Sequence, residues 1–290
     1  MLCSGGSKPL EIGWKRIEEL VDRTLAEDLG WGDVTTEAII PAELTGKASM
    51  MAKARGMLAG IEVARLVFCR VDPSVQFDII IPEGSGLQPG DLIAKLEGKV
   101  ASILKGERTA LNFLQRLSGI ATETSRYVEA IKGLDSRIVD TRKTTPGMRV
   151  LEKYAVRVGG GHNHRLHLGD GVLIKDNHLA ALRSQGLAMK DIISRAMERA
   201  PFNLKVEVEV RTAQEAVEAV EAGADIVMLD NMGLEEMRQA ARLVKGRALL
   251  EASGGITLDN VRRVAETGVD LISVGALTHS ARSLDISLEM

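Results

Sequence analysis

Between Arg137 and Lys175 the chain carries eight Lys/Arg (137, 142, 143, 149, 153, 157, 165 and 175) against three Asp/Glu (140, 152 and 170). This is a basic stretch inside a chain whose formal net charge is −3. The cations sit among glycines, histidines and short apolar runs rather than along one helix face. Asp140-Thr141-Arg142-Lys143-Thr144-Thr145-Pro146-Gly147, Gly160-Gly161-His162-Asn163-His164-Arg165 and Ile174-Lys175-Asp176-Asn177-His178 are the densest segments. Cations gathered this way suit a pocket for a multiply anionic small molecule.

Carboxylates of opposite use follow. Val206-Glu207-Val208-Glu209-Val210 alternates with period two. In a parallel barrel the valines meet helices and both glutamates point into the lumen. A carboxylate there needs a cation, a metal or hydrogen-bond donors. Glu209, nearer the carboxyl end, is expected to line a site, and Glu207 to be a deeper charge partner. Ile226-Val227-Met228-Leu229-Asp230-Asn231 reads as a buried strand ending in an acid and an amide. Asp230 could cap a helix, or could hold Mg²⁺ or a sugar hydroxyl together with Glu209.

Two small-residue turns complete the set. Glu251-Ala252-Ser253-Gly254-Gly255-Ile256-Thr257 and Ser273-Val274-Gly275-Ala276 each end a strand and open a helix. Backbone N–H groups in such turns bind phosphate, and turns after the last two strands of an α/β barrel are its usual phosphate site. The histidines His162, His164 and His167 invite a metal reading, since His-x-His can seat a divalent ion. Only His178 offers a further nearby ligand, and Arg165 would repel a cation. Anion binding and orienting hydrogen bonds are the stronger expectation. Arg108, on the first turn of a long helix, reads from patterning alone as a solvated arginine.

The elements that must position these groups divide the chain in two. Trp14–Leu29 is helical by its apolar spacing and stops before Gly30. From Gly46 to Leu104 the pattern is of short strands punctuated by Pro and Gly, and a helix follows from Gly106 to about Lys132. Beyond it, strands are expected at Arg137–Asp140, Val172–Lys175, Val206–Val210, Ile226–Leu229, Leu249–Ala252 and Leu271–Val274. Helices are expected at Ala213–Glu221, Leu234–Val244 and Leu258–Thr267. Strands alternating with helices make a parallel sheet. A further strand near His164–Leu168 could close it as a short barrel. Nearly every strand delivers a chemical residue at its carboxyl end, the ligand-binding face of parallel α/β folds: Arg142 and Lys143, Lys175, Glu209, Asp230 and Asn231, Glu251 and Ser253, then Gly275.

Bulk composition narrows the function classes. The 290 residues suffice for two modest domains, and 45% apolar residues supply a core. Aromatics at 3% and a near-neutral charge balance exclude a nucleic-acid binder. No apolar run is long enough to cross a membrane, and Met1–Lys8 holds no hydrophobic signal core. Cys3 and Cys69 are far apart without metal spacing, so a reduced, cytoplasmic protein is expected.

The segments quoted above, with Glu27-Asp28-Leu29-Gly30-Trp31-Gly32-Asp33-Val34-Thr35-Thr36 and Glu107-Arg108-Thr109-Ala110-Leu111-Asn112, resemble quinolinate phosphoribosyltransferase from about residue 14 to the end. The resemblance implies an α/β protein: an amino-terminal α/β sandwich domain (1–116, joined by 276–290) and an incomplete parallel α/β barrel (117–275). It implies a homodimer, or an assembly of dimers, with active sites completed across the interface. Arg142, His164, Arg165 and Lys175 would hold the two quinolinate carboxylates, with Thr141 and Lys143 nearby. Arg108 would arrive from the other subunit, against its bland reading. Glu209 and Asp230 would hold the ribose hydroxyls and Mg²⁺ of phosphoribosyl pyrophosphate, directly or through water. Ser253, Gly254, Gly255 and Gly275 would cradle its 5′-phosphate. Lys143, Lys175, Glu209 and Asp230 are the catalytic candidates. The implied activity makes nicotinate mononucleotide, CO₂ and pyrophosphate in NAD biosynthesis. Rival readings are a relative of the same fold associated with molybdenum transport, a metal-dependent barrel hydrolase built on His162 and His164, and a phosphate sensor using only the glycine turns.

Overall fold

In a computed structural model, residues 13–290 are described; Cys3 and the segment Met1–Lys8 lie outside them. The described chain forms two compact units, each interrupted in sequence.

The first unit comprises 13–123, 145–159 and 281–290. Helix α1 (Trp14–Leu29) buries Ile17, Val21 and Leu25, one residue per turn, and ends at Gly30, whose N–H bonds the Ala26 carbonyl at φ +48°. Asp33 caps α2 (Val34–Ile39) by accepting from the Thr36 N–H at 3.0 Å. β1 (Thr45–Ala52), β3 (Gln76–Ile79), β5 (Leu92–Lys99) and β12 (Ile286–Glu289) make an antiparallel sheet in the order β12-β1-β5-β3. The carboxyl terminus thus returns as an edge strand, Met50 opposite Leu288. A two-residue pairing joins β2 (Gly56–Met57) to β4 (Gly86–Leu87), and α3 (Ile61–Val71) packs against α1.

Helix α4 (Val100–Ala130) begins six residues before the expected start at Gly106. Nothing in Val100–Lys105 breaks a helix. Gly106 lies inside α4, where a Cβ would come within 2.8 Å of the Phe68 ring. Its absence permits that close approach rather than marking a start. The boundary expected at 116/117 falls within α4, and by contacts the units divide at 123/124 along the same helix. Helix α5 (Arg149–Val158) also belongs to the first unit, although it lies between two strands of the second in sequence.

The second unit comprises 124–144 and 160–280. Its strands are β6 (Arg137–Val139), β7 (Val172–Ile174), β8 (Val206–Val210), β9 (Ile226–Asp230), β10 (Leu249–Ser253) and β11 (Leu271–Ser273). All pair in parallel, in the order β6-β11-β10-β9-β8-β7. Each end strand bonds one neighbour, so the barrel stays incomplete. No strand forms at 164–168; only His162 makes an isolated parallel bridge, to Val139. The helices are α6 (Asp176–Arg183), α7 (Met189–Arg199), α8 (Ala213–Glu221), α9 (Leu234–Val244), α10 (Val261–Ala265) and α11 (Ala276–His279). α8 buries Ala213, Ala216 and Ala219, small side chains that let the helix axis come close to its neighbours. α10 is shorter than the expected 258–267 because Thr257–Asn260 form a turn, with Asn260 Oδ1 accepting the Thr257 N–H.

Candidate active site

Parallel register brings the chemistry to one end. Ile174 pairs with Val208, Val210 with Leu229, Asp230 with Ser253, and Ser273 with Val139. Lys175, Glu209, Asp230, Ser253 and the Asp140–Lys143 segment therefore rise together at the carboxyl ends. A cavity of about 260 Å³ opens there, lined by Thr141, Arg142, Lys143, His164, Arg165, Leu173, Lys175, Glu209, Met228, Asp230, Glu251, Ser253 and Ser273. Nine of the thirteen expected site residues line it. A larger cavity of about 500 Å³ in the first unit, around Trp14, Cys69 and Phe77, has its nearby charges tied in the Arg65–Glu62 and Arg70–Glu18 pairs. Size alone does not make it the reaction site.

Asp140, fully buried, builds the cationic wall. Its carboxylate accepts from Asn163 Nδ2 at 2.6 Å and from the His164 N–H at 2.9 Å. The loop after His162 is thereby folded against the end of β6. Arg165 Nη1 donates to the Gly171 carbonyl at 3.0 Å. Burial, then the neighbouring Arg142 guanidinium, pull Arg165 below its ordinary pKa. Two guanidiniums this close in a half-buried wall call for an anion between them. Lys143 is fixed through its backbone: its N–H donates to Thr141 Oγ1 (3.0 Å) and its carbonyl accepts from Thr278 Oγ1 (2.7 Å). Lys175 precedes α6, and its N–H donates to His178 Nδ1 at 2.9 Å. His178 is thus a helix-capping residue.

The acidic wall faces these cations. Burial first, then Asp230 and Asp176, push the Glu209 carboxyl above its ordinary range, while Lys175 and Arg211 oppose the shift. Asp176 also pairs with Arg211 at 2.8 Å; sequence patterning did not single it out.

At the Gly254-Gly255 turn the backbone is left-handed. Asn231 adopts φ +54°, its N–H donates to the Ser253 carbonyl (2.9 Å), and its Nδ2 donates to Asp230 Oδ2 (2.9 Å). Gly254, at φ +94°, lies so close that a Cβ would sit 2.2 Å from Asn231 Oδ1. Gly255 follows at φ +62°. At Gly275 a Cβ would meet Lys143 Cδ and His279 Nε2, both at 3.2 Å. His279 is a polar neighbour of that turn that sequence reasoning missed; as the last residue of a one-turn helix it gave no periodic signal.

Inside the lumen, His164 Nε2 lies 3.1 Å from Glu207 Oε2 and 3.6 Å from Glu251 Oε2. Among the described residues this is the one group whose ligand atoms, all within 4.8 Å, could hold a metal ion. The ring argues against that use. Its Nδ1 accepts the Arg165 N–H at 2.8 Å, so the proton of a neutral imidazole sits on Nε2, which then has no lone pair for a metal. His162, His167 and His178 do not join the group. The hydrolase reading therefore has no assembled ligand set. Glu251 is fully buried, and burial followed by the Glu207 charge pushes its carboxyl up to about 7.

The basic stretch itself is split. Arg149, Lys153 and Arg157 lie on α5 in the first unit, Lys153 almost wholly buried, and none lines the cavity. Spacing along the chain does not reveal that excursion. Arg137, at the start of β6, lies at the opposite strand end from Arg142. Arg108 is exposed on α4 of the first unit.

Comparison with known proteins agrees with this geometry. Family models for the quinolinate phosphoribosyl transferase C-terminal domain and N-terminal domain match residues 120–289 and 33–118. A probable nicotinate-nucleotide pyrophosphorylase [carboxylating] of Bacillus subtilis is 43% identical over 95% of this chain and 93% of its own length. One from Synechocystis is 42% identical over 96% and 93%. The crystal structure of NadC from Streptococcus pyogenes superposes with a TM-score of 0.92 at 44% identity, covering 97% of this chain and 98% of that one. The nicotinate-nucleotide pyrophosphorylase from Francisella tularensis gives 0.90 at 36%, covering 98% and 99%. An amino-terminal antiparallel unit, an incomplete parallel barrel and a cation-and-carboxylate cavity at its carboxyl ends thus occur in a chain that belongs to the quinolinate phosphoribosyltransferase family.

Proposed function

We propose that the cavity joins quinolinate to phosphoribosyl pyrophosphate and releases nicotinate mononucleotide, CO₂ and pyrophosphate, a step of NAD biosynthesis. The observation that carries this reading is that Arg142, Lys143, Arg165 and Lys175 share one small cavity with Glu209, Asp230 and Ser253. A dianion and a polyphosphate need that density of cations, and a sugar with hydroxyls needs the acids beside them.

Arg142, Arg165 and Lys175 suit the two quinolinate carboxylates, with Thr141 and His164 beside them. Ser253, Gly254, Gly255 and Gly275 suit the 5′-phosphate, through the backbone N–H groups of their turns. Holding both substrates in line supplies much of the rate. The ring nitrogen then forms its bond to the anomeric carbon as the bond to pyrophosphate breaks, and the electron pair leaves on pyrophosphate oxygen. Positive charge develops on the sugar, where Glu209 and Asp230 can stabilise it. The quaternised ring withdraws electrons, so the adjacent carboxylate departs as CO₂ and a proton takes its place on the ring carbon. Lys143 and Lys175 are placed to neutralise departing or bound anions.

Mg²⁺ fits the same wall. Burial first, then Asp230 and Asp176, raise the Glu209 carboxyl, and a divalent cation relieves the like-charge part of that crowding with hard oxygen ligands. Glu209 and Asp230 would hold it, directly or through water, and it would offset pyrophosphate charge. A homodimer, or an assembly of dimers, in which Arg108 reaches the site of a second copy is part of the proposal; the family resemblance supports it. So is a cytoplasmic setting, suggested by cysteine usage; among the described residues no helix is long and apolar enough to cross a membrane.

The test is direct. Purified protein given quinolinate, phosphoribosyl pyrophosphate and Mg²⁺ should form nicotinate mononucleotide, followed by chromatography, and should stall when the metal is chelated. Absence of that product with all three present sinks the reading.

A further inference from the structure

Two buried glutamates in the lumen are not used by the chemistry above, although Glu251 lines its cavity and Glu207 lies beside His164, which also lines it. Glu207, on β8, and Glu251, on β10, are 4% and 0% exposed. Glu207 Oε1 and both oxygens of Glu251 accept no hydrogen bond, and the nearby Ser273 hydroxyl donates to the Ala252 carbonyl instead. Burying carboxylates in this way costs stability unless something is gained. Their position shows what is gained, because the group they face is the ring of His164.

That ring is held from both sides. On one side the Arg165 backbone N–H donates to Nδ1 at 2.8 Å. On the other, Nε2 lies 3.1 Å from Glu207 Oε2 and 3.6 Å from Glu251 Oε2. A ring nitrogen facing a donor must be bare, so the proton belongs on Nε2, the nitrogen beside the two carboxylates. An acceptor on one nitrogen thereby sets what the other can bind, the logic by which outer partners orient histidines in metal sites. The same peptide N–H begins Arg165, whose guanidinium is tied to the Gly171 carbonyl and crowded by Arg142.

We propose that Glu207 is a positioning residue: by accepting the Nε2 proton of His164 it fixes the ring tautomer whose Nδ1 receives the Arg165 N–H, and so holds Arg165 where the substrate carboxylate is bound. His164 then acts as the clamp between a lumen carboxylate and the cationic wall rather than as a donor to substrate. Glu207 touches no substrate in this scheme. The clamp rests on the reading of the cavity as the quinolinate site, but the tautomer does not.

The experiment has two readouts. Nitrogen NMR of histidine-labelled protein, with His164→Gln used to identify the signal among five histidines, reports which ring nitrogen carries the proton. The expected result is a protonated Nε2 and a bare Nδ1 in the wild type and in Glu207→Gln, whose amide oxygen still accepts. In Glu207→Leu that signature should be lost. Steady-state kinetics give the second readout. Glu207→Leu should raise KM for quinolinate about tenfold, the size of one orphaned donor. KM for phosphoribosyl pyrophosphate should move by less than about twofold, and Glu207→Gln should restore most of the loss. A merely structural role would lower folded protein or shift both constants together. A wild-type His164 protonated on Nδ1 overturns the proposal even if Glu207→Leu does not fold. So does a folded Glu207→Leu protein with an unchanged tautomer or an unchanged quinolinate KM. Should the wild type fail to use quinolinate at all, the functional reading falls while the tautomer measurement still decides the clamp.

Discussion

Two fully buried glutamates, one in each unit, show how differently this chain treats the same side chain. Glu152, on α5, is 0% exposed and saturated: Arg116 donates from Nε at 3.1 Å and Nη2 at 2.8 Å, and Thr145 from its N–H at 3.0 Å and its hydroxyl at 2.8 Å. Arg116 in turn donates to the Ala281 carbonyl. Glu251 is equally buried, yet neither oxygen accepts a hydrogen bond, and burial, then the Glu207 carboxylate, raise its pKa. The first arrangement stitches α4, α5 and the carboxyl-terminal segment of one unit together. The second is tolerated beside a binding cavity, and its energetic cost marks where the fold serves chemistry instead of itself.

Substitutions can break or sharpen that contrast. The largest effect should come from Glu152→Ala, which strands Arg116 and should cost about 3 kcal/mol or more in urea denaturation, the range for removing one partner of a buried pair. A loss under about 1 kcal/mol would leave the two glutamates alike. Next is Gly254→Ala. Its Cβ would collide with Asn231 Oδ1 and require a side chain at φ +94°. The collision would push Asn231 away from Asp230, raising KM for phosphoribosyl pyrophosphate about tenfold or more at little cost in melting temperature. Equal damage to stability and binding would place Gly254 with the stitches rather than the site.

The smallest effect, and the one of opposite sign, belongs to Glu251→Gln. Burial, Glu207 and Asp140 raise the Glu251 carboxyl to about 7 from an ordinary 4.5, against the opposing pull of His164 and Ser273. Between those values the folded protein keeps a proton that the unfolded chain has released. Stability from this group is therefore present at low pH and is lost as pH rises through about 7. Glutamine stays neutral, so the variant should melt higher than wild type at pH ~8, on the order of 5 °C, and equally below pH ~5. A variant that melts lower at both values would show that Glu251 is stabilising after all.

Much of the cavity was legible because a parallel strand has a period and a polarity. Val206–Val210 announces its inward glutamates by alternation, and parallel register does the rest, so Glu209, Asp230 and Ser253 were placed from type and position alone. Family motifs, not periodicity, singled out Thr141 and Arg108, and gave His164, noticed first for its His-x-His spacing, a substrate-binding role. What escaped depends on contacts distant in sequence. Arg149, Lys153 and Arg157 repeat at four-residue spacing close in sequence to residues that line the cavity, and only the fold reveals that α5 leaves the barrel unit. Asp140 reads as the end of a strand, whereas its oxygens organise the loop at Asn163 and His164. The left-handed Asn231, a conformation asparagine tolerates, meets the neighbouring strand's Ser253 and Gly254, contacts that the local sequence does not show.

The excursion of α5 has a consequence for how the molecule can be divided. The chain passes between units at 123/124, 144/145, 159/160 and 280/281. A single cut therefore frees neither unit. A fragment starting at residue 120, where the carboxyl-terminal family match begins, would carry α5 and β12 without their packing partners and would expose the Glu152 carboxylate without Arg116. Modular exchange, common among enzymes whose domains follow one another like beads, is closed to this architecture. Any single cut leaves both halves incomplete.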